Sequence, residues 1–571
     1  MRRPALFAFL LIQYYHTSGQ FFPSPGYPQN EFRDPLAIPI RLAANFGELR
    51  ANHYHMGLDI RTDHRENLPV FAAADGYVCR IKIEPFGFGQ AIYIRHTNGY
   101  ISLYAHLNAF YPALASYVKR KQYELERWDV SLDLPPGLLT VKKGDLIAYS
   151  GNMGGSQGPH LHFEIRSAAT PGSPETNLNP MLFGLPVADN VPPVFRGLSV
   201  YDRNKSFYEQ TPAFVPVKKT AAGYEIALPI LILKSADPGF GISGFDAQTG
   251  SNNPNGIFQG VIYDNEEAVS GFQMDRISYD ETRGINAHID YPTQQRGGPA
   301  YQLLFRMPGY MHSIYKETKP GGPINLQDGK IHGIRIELKD AYGNESNLNF
   351  KVRFQPEPEP GPVYAGKVFY PGMLDGFEAS NAAFYLGPAC LYDSLHLVYL
   401  ETASDAKNTV SSVHRFGNTE VPLGDTMTVR IRLSKSEIQK QHVLMQWSDG
   451  EDFEVKKPQW LGDWATCSFR SFGNFQLVLD TLAPVIRVPG IVENANLRRS
   501  SRIAVIVQDN YKKVKNFRAT LDGKWLLFSN DKARAFLYHF DEHCRPGRHE
   551  LKIYAEDEAG NGSSALLHFS R

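Results

Sequence analysis

Two histidines, His160 and His162, lie two residues apart in a short apolar segment that follows the glycine-rich loop at 151–158. The apolar residues between and after them predict a β-strand. Because strand side chains alternate between faces, both imidazoles are expected to point the same way. Imidazole nitrogen is a common metal ligand, so the pattern indicates a metal site beside an open rim. A His-x-His pair also arises by chance, and a second one, His53-x-His55, occurs upstream.

Two upstream segments carry side chains that could complete such a site. His55 and Asp59 are four residues apart at the start of a predicted strand, on one face, and Gly57 between them leaves room for a ligand. His106 ends another predicted strand. Histidine nitrogen and carboxylate oxygen are both good zinc ligands. Taken singly, Asp59 could be a turn carboxylate and His106 an ordinary strand-end histidine.

The elements that position these residues are predicted to be mostly strands. From residue 45 to about 184, short strand-like runs alternate with turn signals, which favours an antiparallel β domain. The predicted strands are 70–74, 76–83, 91–96, 100–107, 145–150 and 161–166.

One segment of this domain departs from the strand pattern. Between 113 and 128, apolar residues recur at helical spacing and charged residues fill the other face, which predicts a helix inside an insertion at 112–138. The apolar positions are Leu114, Tyr117, Val118, Leu125 and Trp128.

The chain has 59 basic and 59 acidic residues among 571, so its net charge is zero and nothing favours a nucleic-acid partner. At the N-terminus, Arg2 and Arg3 precede a short apolar run and then small residues, which predicts a signal peptide at 1–19 and hence export. No later segment is long and apolar enough to predict a transmembrane span. Residues 20–41 are expected to form an extended arm.

The C-terminal two-thirds contains an internal repeat. The opening Asp189-Asn-Val-Pro-Pro resembles Asp480-Thr-Leu-Ala-Pro, and the closing Asp340-Ala-Tyr-Gly-Asn resembles Asp557-Glu-Ala-Gly-Asn. Each pair brackets a unit that opens with a proline-led strand and closes with an alternating strand, so about three β-sandwich, immunoglobulin-like modules are predicted. The predicted domains are the first at 42–187, a sandwich with long insertions or an extra subunit at 188–355, a Pro-rich linker at 356–362, a β domain at 363–479 and a C-terminal sandwich at 480–571.

Considered together, four stretches in order resemble the lysostaphin/LytM-type zinc endopeptidases, which cut bacterial cell-wall peptides. The resemblance covers roughly residues 42–185, and its motifs are specific only in combination. The stretches are Phe46-Gly-Glu-Leu-Arg50 leading to His55-x-Gly-x-Asp59, then Asp75-Gly-Tyr-Val78, then Tyr104-x-His106-Leu107, and finally Gly158-Pro-His-Leu-His-Phe-Glu164.

The resemblance implies a role for each of five residues. His55, Asp59 and His162 would bind Zn²⁺, and His106 and His160 would be unligated catalytic histidines. A catalytic zinc site keeps three protein ligands, and the metal lowers the pKa of water and polarises a carbonyl. The two free histidines could accept a proton, stabilise the oxyanion or protonate the leaving amine, and the sequence does not divide these tasks between them.

Other residues near these motifs have less specific interpretations. Glu164 is expected either to orient a ligand or to form the polar edge of its strand. Met153, Gly154 and Gln157 stand where the family usually has small hydroxylated residues, and the helical insertion is also additional. Both departures flank the expected cleft, so they bear on substrate fit.

The resemblance predicts an exported zinc endopeptidase that hydrolyses peptide bonds of peptidoglycan stem peptides or cross-bridges. Its place would be the periplasm or cell envelope, or the medium if secreted, with peptidoglycan as its partner and the β modules available to other envelope proteins. Two alternatives remain at this point: a non-catalytic member that binds the wall or regulates a hydrolase, and an exported peptidase that acts on proteins.

Overall fold

The computed structural model describes residues 20–170, 174–221, 223–322, 324–357, 364–404, 406–434 and 439–571. The predicted signal peptide at 1–19 and most of the predicted linker at 356–362 lie outside these residues. Within them the chain is mainly β, as the sequence predicts. No helix in these ranges is long and apolar enough to cross a membrane.

The N-terminal domain is built on an antiparallel sheet with the order β1-β4-β13-β8-β7-β6-β10, to which β11 and β14 add at β6 and β13. A smaller sheet has the order β5-β12-β9, and β2 pairs with β3. The strands are β1 (Leu42–Ala44), β2 (Leu49–Arg50), β3 (His53–Tyr54), β4 (Leu58–Arg61), β5 (Pro69–Phe71), β6 (Gly76–Ile83), β7 (Gln90–His96), β8 (Tyr100–Ala105), β9 (Ala109–Phe110), β10 (Val130–Asp133), β11 (Thr140–Val141), β12 (Leu146–Tyr149), β13 (His160–Ser167) and β14 (Thr176–Leu178).

Strand β13 lies in the middle of this sheet and is buried on both faces. Its apolar residues Leu161, Phe163 and Ile165 point into the main core of the domain. Strand alternation therefore turns the polar residues at 160, 162, 164 and 166 to the opposite face. The arm at 20–41 crosses the domain without regular secondary structure until β1 begins at its end, and its Phe32 and Leu36 join the same core.

The insertion holds one helix, α1 (Pro112–Leu125), with proline in its first turn. Glu126 adopts a left-handed conformation and ends the helix before Trp128, to which the sequence pattern extended it. Leu125 was expected on the buried face and is exposed. Gln122 takes the buried position of the last turn instead, because its amide donates a hydrogen bond to the Trp128 carbonyl at 2.6 Å.

The buried core of the second domain runs from Phe195 to Val352. It also takes in Phe46, Tyr54 and Met56 of the N-terminal domain and Tyr392 of the third domain, so these neighbouring domains are packed against it. Its strands form one sheet apart from Arg276–Ser278, which pairs with β14 and so extends the sheet of the N-terminal domain. Its helices are Ile285–His288 and Tyr291–Gln295. The strands are Val194–Asp202, Ala213–Thr220, Gly223–Ile226, Leu231–Leu233, Pro238–Phe245, Gln259–Asp264, Glu267–Gln273, Arg276–Ser278, Gln302–Leu303, Tyr315–Glu317, His332–Lys339 and Glu345–Phe354.

The third domain has two five-stranded sheets and a short pair of strands, packed around a core of its own. Its strands are Lys367–Phe369, Asp375–Glu378, Ala382–Leu386, Leu395–Leu397, Tyr399–Thr402, Val413–Phe416, Pro422–Arg432, Val443–Asp449, Asp452–Lys456, Gln459–Leu461, Trp464–Ser471 and Gly473–Leu479.

The C-terminal domain has a three-stranded and a five-stranded sheet with a separate core between them. Its strands are Val485–Arg487, Ala495–Asn496, Arg502–Gln508, Val514–Leu521, Lys524–Trp525, Phe536–His539, Arg548–Asp557 and Gly562–Ser570. Short 3₁₀ turns elsewhere in the chain are Pro180–Phe183, Phe207–Glu209, Thr282–Gly284, Lys440–His442 and Asp531–Ala533.

Candidate metal centre

Three side chains, from β13, from β4 and from the segment just before β4, converge in the N-terminal domain. Strands β4 and β13 pair antiparallel with Asp59 directly opposite His162, and His55 lies in the segment just before β4. Asp59 Oδ1 is 2.8 Å from His162 Nδ1 and 3.0 Å from His55 Nε2. The two histidine nitrogens are 3.1 Å apart. One donor atom from each residue lies within 4.8 Å of the others, close enough to hold one metal ion.

The outer hydrogen bonds of the two histidines fix which nitrogen faces this point. His55 Nδ1 donates to the Asn45 carbonyl at 2.7 Å, which leaves Nε2 with a lone pair. His162 Nε2 lies 2.9 Å from Glu164 Oε1, which leaves Nδ1 free to bind a metal. Two imidazole nitrogens and one carboxylate oxygen form a donor set that suits zinc.

Glu164 is held in place by several donors behind His162. Arg166 Nε at 2.5 Å and Asn177 Nδ2 at 2.6 Å donate to Oε2, and the Tyr279 hydroxyl donates to Oε1 at 3.0 Å. Burial would raise the pKa of Glu164, but Arg166 and His162 lower it to about 2. The carboxylate is therefore ionised and orients His162, which is the first of the two interpretations that the sequence allowed.

The charge of Asp59 is set by the histidines around it. Burial would raise its pKa, yet His55, His160 and His162, when protonated, attract it and donate hydrogen bonds to it, which keeps that pKa well below the usual range. Burial lowers the pKa of His162, but its hydrogen bonds to Asp59 and Glu164 outweigh this and raise it to about 9.

His106 and His160 lie beside the three clustered residues. Their rings are 4.7 Å apart between centroids, and His160 Nε2 is 3.3 Å from Asp59 Oδ1. His106 Nδ1 donates to the Met153 carbonyl at 2.7 Å and His160 Nδ1 to the Gly158 carbonyl at 2.8 Å. In the neutral rings each Nε2 is therefore a proton acceptor. Burial, with a smaller contribution from His160 and His162 whenever they are protonated, lowers the pKa of His106 to about 3.

Gly57 lies where the segment that carries His55 approaches β13 most closely. A Cβ atom at this position would lie 2.5 Å from the Phe163 carbonyl oxygen and 3.0 Å from His162 Nε2. Only glycine therefore lets the segment of His55 lie against β13.

The glycine-rich loop is held on its outer side by the C-terminal domain, a contact that the sequence did not predict. The Gly154 amide donates to Asp531 Oδ1 at 2.8 Å. Beside the loop, the Lys532 amide donates to the Pro85 carbonyl at 2.8 Å. Helix α1 meets the same domain, where Lys119 Nζ lies 2.7 Å from Asp541 Oδ2.

The five residues predicted for the site are thus brought together, and the other histidines considered are not. His53 and His64 are exposed, and neither joins the cluster of metal-binding groups. His96 is buried, and its Nε2 lies 2.7 Å from Ser102 Oγ. Arg166 could have been found from its even spacing after His160, His162 and Glu164, whereas nothing in the sequence indicated Tyr279, which lies in another domain.

Comparison with known families finds two matches along the chain. Residues 53–123 match peptidase family M23, and residues 372–480 match the Zu5-like domain. The first match includes His55, Asp59 and His106.

Among curated proteins, the chain is similar to DD-carboxypeptidase/endopeptidase Mpg of Neisseria meningitidis serogroup B. The two are 32% identical over 161 residues, which is 27% of this chain and 30% of the relative. Peptidoglycan DD-endopeptidase ShyA of Vibrio cholerae is 28% identical over 190 residues, or 32% of this chain and 37% of the relative. The chain thus spans well under half the length of these relatives.

Among solved structures, the catalytic domain of the antimicrobial peptidase lysostaphin from Staphylococcus simulans aligns at 21% identity. The match covers 25% of this chain and 90% of that domain, with a TM-score of 0.18.

Proposed function

We propose that this chain, which carries a peptidase family M23 domain, is an exported zinc-dependent endopeptidase that hydrolyses peptide bonds of peptidoglycan. The family match and the curated relatives confirm the resemblance seen in the sequence motifs. Beyond this resemblance, we propose the metal, the roles of the five residues, the substrate and the export.

The proposal rests on two features of the site: three converging atoms that can bind a metal, and two further imidazoles beside them. His55 Nε2, Asp59 Oδ1 and His162 Nδ1 lie within hydrogen-bond distance of one another, and each histidine has its second nitrogen engaged elsewhere. An arrangement of three converging donors, all with defined outer partners, is what a zinc ion requires.

Zinc bound here would lower the pKa of a water molecule and polarise the scissile carbonyl. Residues of the chain would transfer the protons and orient the metal-binding groups. His106 and His160 each present an Nε2 that accepts a proton, and once protonated each can donate one to the leaving amine or to the oxyanion. Glu164 keeps His162 in the tautomer whose Nδ1 is free, and the ionised Asp59 balances positive charge in the site.

Peptidoglycan as the substrate is supported by the names of the relatives, since ShyA is a peptidoglycan DD-endopeptidase and Mpg a DD-carboxypeptidase/endopeptidase. Export is supported by the charged and apolar pattern at the N-terminus, which is typical of a signal peptide.

The decisive experiment is digestion of purified peptidoglycan by the full chain, with and without a chelator, followed by mass analysis of the released muropeptides. We expect new amine and carboxyl ends in the peptide portion, loss of activity with chelator and recovery on adding zinc. Intact peptidoglycan, together with cleavage of a denatured protein under the same conditions, would reject the substrate. Cleavage that survives complete metal removal would reject the zinc mechanism.

A further inference from the structure

Two clusters of three aspartates lie outside the candidate metal centre, one in the second domain and one in the C-terminal domain. The first consists of Asp189, Asp246 and Asp340, and the second of Asp480, Asp509 and Asp557. In each cluster, one carboxylate oxygen per residue lies within 4.8 Å of the other two. Neither cluster takes part in the proposed hydrolysis.

The two clusters are equivalent positions of the repeat seen in the sequence. Asp189 and Asp480 open their units just before a proline-led strand. Asp340 directly follows the strand His332–Lys339, and Asp557 is the last residue of the strand Arg548–Asp557. The third members, Asp246 and Asp509, share no sequence motif, but each directly follows the strand that pairs with the opening strand of its unit. Only the fold brings each of them to its cluster.

The hydrogen bonds around the clusters are also duplicated. Asn344 Nδ2 donates to Asp340 Oδ2 at 2.6 Å and to the Asp189 carbonyl at 3.4 Å. Asn561 Nδ2 donates to Asp557 Oδ2 at 2.7 Å and to the Asp480 carbonyl at 3.0 Å. Each asparagine thus ties the closing aspartate of its unit to the opening one.

Some carboxylate oxygens in both clusters have no donor among the described residues. They are Asp246 Oδ1 in the first cluster and Asp480 Oδ2 and Asp509 Oδ1 in the second. Asp246 and Asp480 are each only 2% exposed. A buried carboxylate oxygen without a donor is costly unless a proton or a cation compensates it. In both clusters, therefore, a buried acceptor is left facing other carboxylates.

The charge balance at both clusters is unfavourable for ionised aspartates alone. Burial and, to a smaller extent, the neighbouring Asp340 and Asp189 together raise the pKa of Asp246 to about 8. Burial likewise raises the pKa of Asp480, and the nearby Asp557 contributes to the rise. The pKa of Asp509 is raised by burial and by the charges of Asp480 and Asp557. A bound cation would remove this penalty.

We propose that each of the two aspartate clusters binds one calcium ion. The donors are all oxygens, which favours a hard cation over zinc. Calcium accepts irregular sets of carboxylate and carbonyl oxygens, whereas magnesium demands near-octahedral geometry and keeps its water.

Each calcium ion would lie at a junction between domains. Asp189 follows the last core residue of the N-terminal domain, Val187, and Ala341 and Tyr342 next to Asp340 pack against that same core. At the second junction, Asp480 follows the last strand of the third domain, and Tyr511 and Ala559 pack against a small core of that domain. Calcium would therefore fix the turns that join one domain to the next.

Among the described residues, one further group could hold a metal ion, Asp541 with Glu542 and His543, but it does not share these features. Lys119 Nζ already lies 2.7 Å from Asp541 and 2.9 Å from Glu542, so the ammonium group of this lysine balances the charge of the two carboxylates. Asp541→Asn is therefore a matched control, an acidic residue removed from a cluster that should not bind calcium.

The test is calorimetric titration of calcium chloride into the full zinc-loaded chain in excess magnesium, together with thermal melts. We expect two calcium ions per chain and a Tm that rises with calcium. Asp246→Asn and Asp509→Asn should each bind one ion and the double variant none, while Asp541→Asn keeps two. Asparagine is close in size to aspartate and removes a buried charge, and melts without calcium will confirm that each variant folds.

His162→Ala separates this proposal from that of the zinc enzyme. We expect that variant to keep both calcium ions although it loses zinc, so failure of one proposal leaves the other measurable. Fewer than two calcium ions bound by the unmodified chain, or any calcium still bound by the double variant, would overturn the proposal. Equal occupancy by magnesium at the same concentration would also overturn it.

Discussion

Asp59 and His162 face each other across the antiparallel pair β4 and β13, with Oδ1 and Nδ1 2.8 Å apart. Their sequence separation is about a hundred residues, yet the strand register alone places them opposite one another. The polar face of β13 then continues through Glu164 and Arg166, so the proposed ligand His162 and the residues that support it lie on one face of one strand.

Replacement of His162 by alanine should abolish zinc binding. The change leaves His55 and Asp59, and two ligands hold zinc poorly compared with three. We expect less than a tenth of an equivalent of zinc after dialysis and no release of muropeptides, measured by elemental analysis and mass spectrometry. His53→Ala is the control, since that histidine is exposed and outside the cluster. A full equivalent of zinc in His162→Ala would contradict the ligand assignment.

His106→Ala should separate chemistry from metal binding. Its ring lies 5.8 Å from that of His162 between centroids and its Nδ1 bonds to the Met153 carbonyl. Loss of a proton-transfer group typically lowers kcat by about 10²–10⁴-fold. We expect that fall with the zinc content unchanged, and a variant with near-normal kcat would remove His106 from the mechanism.

Glu164→Gln should weaken zinc binding without removing a ligand. The amide no longer accepts a charge-assisted hydrogen bond from His162, and loss of such outer partners typically costs about 10–100-fold in metal affinity. Competition with a chelator of known affinity measures the effect. Glu175→Gln is the matched control, because Glu175 also pairs with Arg166 at 2.5 Å but does not contact His162. Equal zinc affinity in the two variants would show that Glu164 does not support His162.

Gly57→Ala should distort the site through backbone contact alone. The new methyl group would lie 2.5 Å from the Phe163 carbonyl and 2.8 Å from Glu164 Cγ, so β4 and β13 must separate locally. We expect a lower Tm and weaker zinc binding, measured by thermal melts and chelator competition. Gly26→Ala, where a Cβ has nothing within 4 Å, should match the unmodified protein. If Gly57→Ala behaves like that control, the close approach is unimportant.

Asp531→Ala should weaken the contact between the glycine-rich loop and the C-terminal domain. The Gly154 amide loses its hydrogen bond to a carboxylate, and such bonds contribute about 1.5–3 kcal/mol. We therefore expect hydrogen exchange at Gly154 to rise by about tenfold or more, with zinc content unchanged. Asp531→Asn keeps an acceptor oxygen and should restore slow exchange. Unchanged exchange in the alanine variant would show that the loop is rigid without the C-terminal domain.

The N-terminal domain could be predicted in some detail because its signals are local. Strand β6 has the bounds that the sequence pattern predicted, and the even spacing of His160 and His162 placed both on one face. Helix α1 was predicted too, but its end was misplaced. The left-handed conformation of Glu126 and the hydrogen bond of Gln122 to Trp128 decide that end. The spacing of apolar residues does not reveal either of them.

By itself the sequence determined the five candidate site residues, the β architecture and the repeat marked by Asp189 and Asp480, since each depends on residue type and short spacing. Tertiary structure alone decided that Tyr279 supports Glu164, that Asp531 holds the glycine loop, and that Asp246 and Asp509 complete the aspartate clusters. These contacts join residues far apart in the chain and often in different domains. Their geometry depends on how whole sheets pack, which no local pattern specifies.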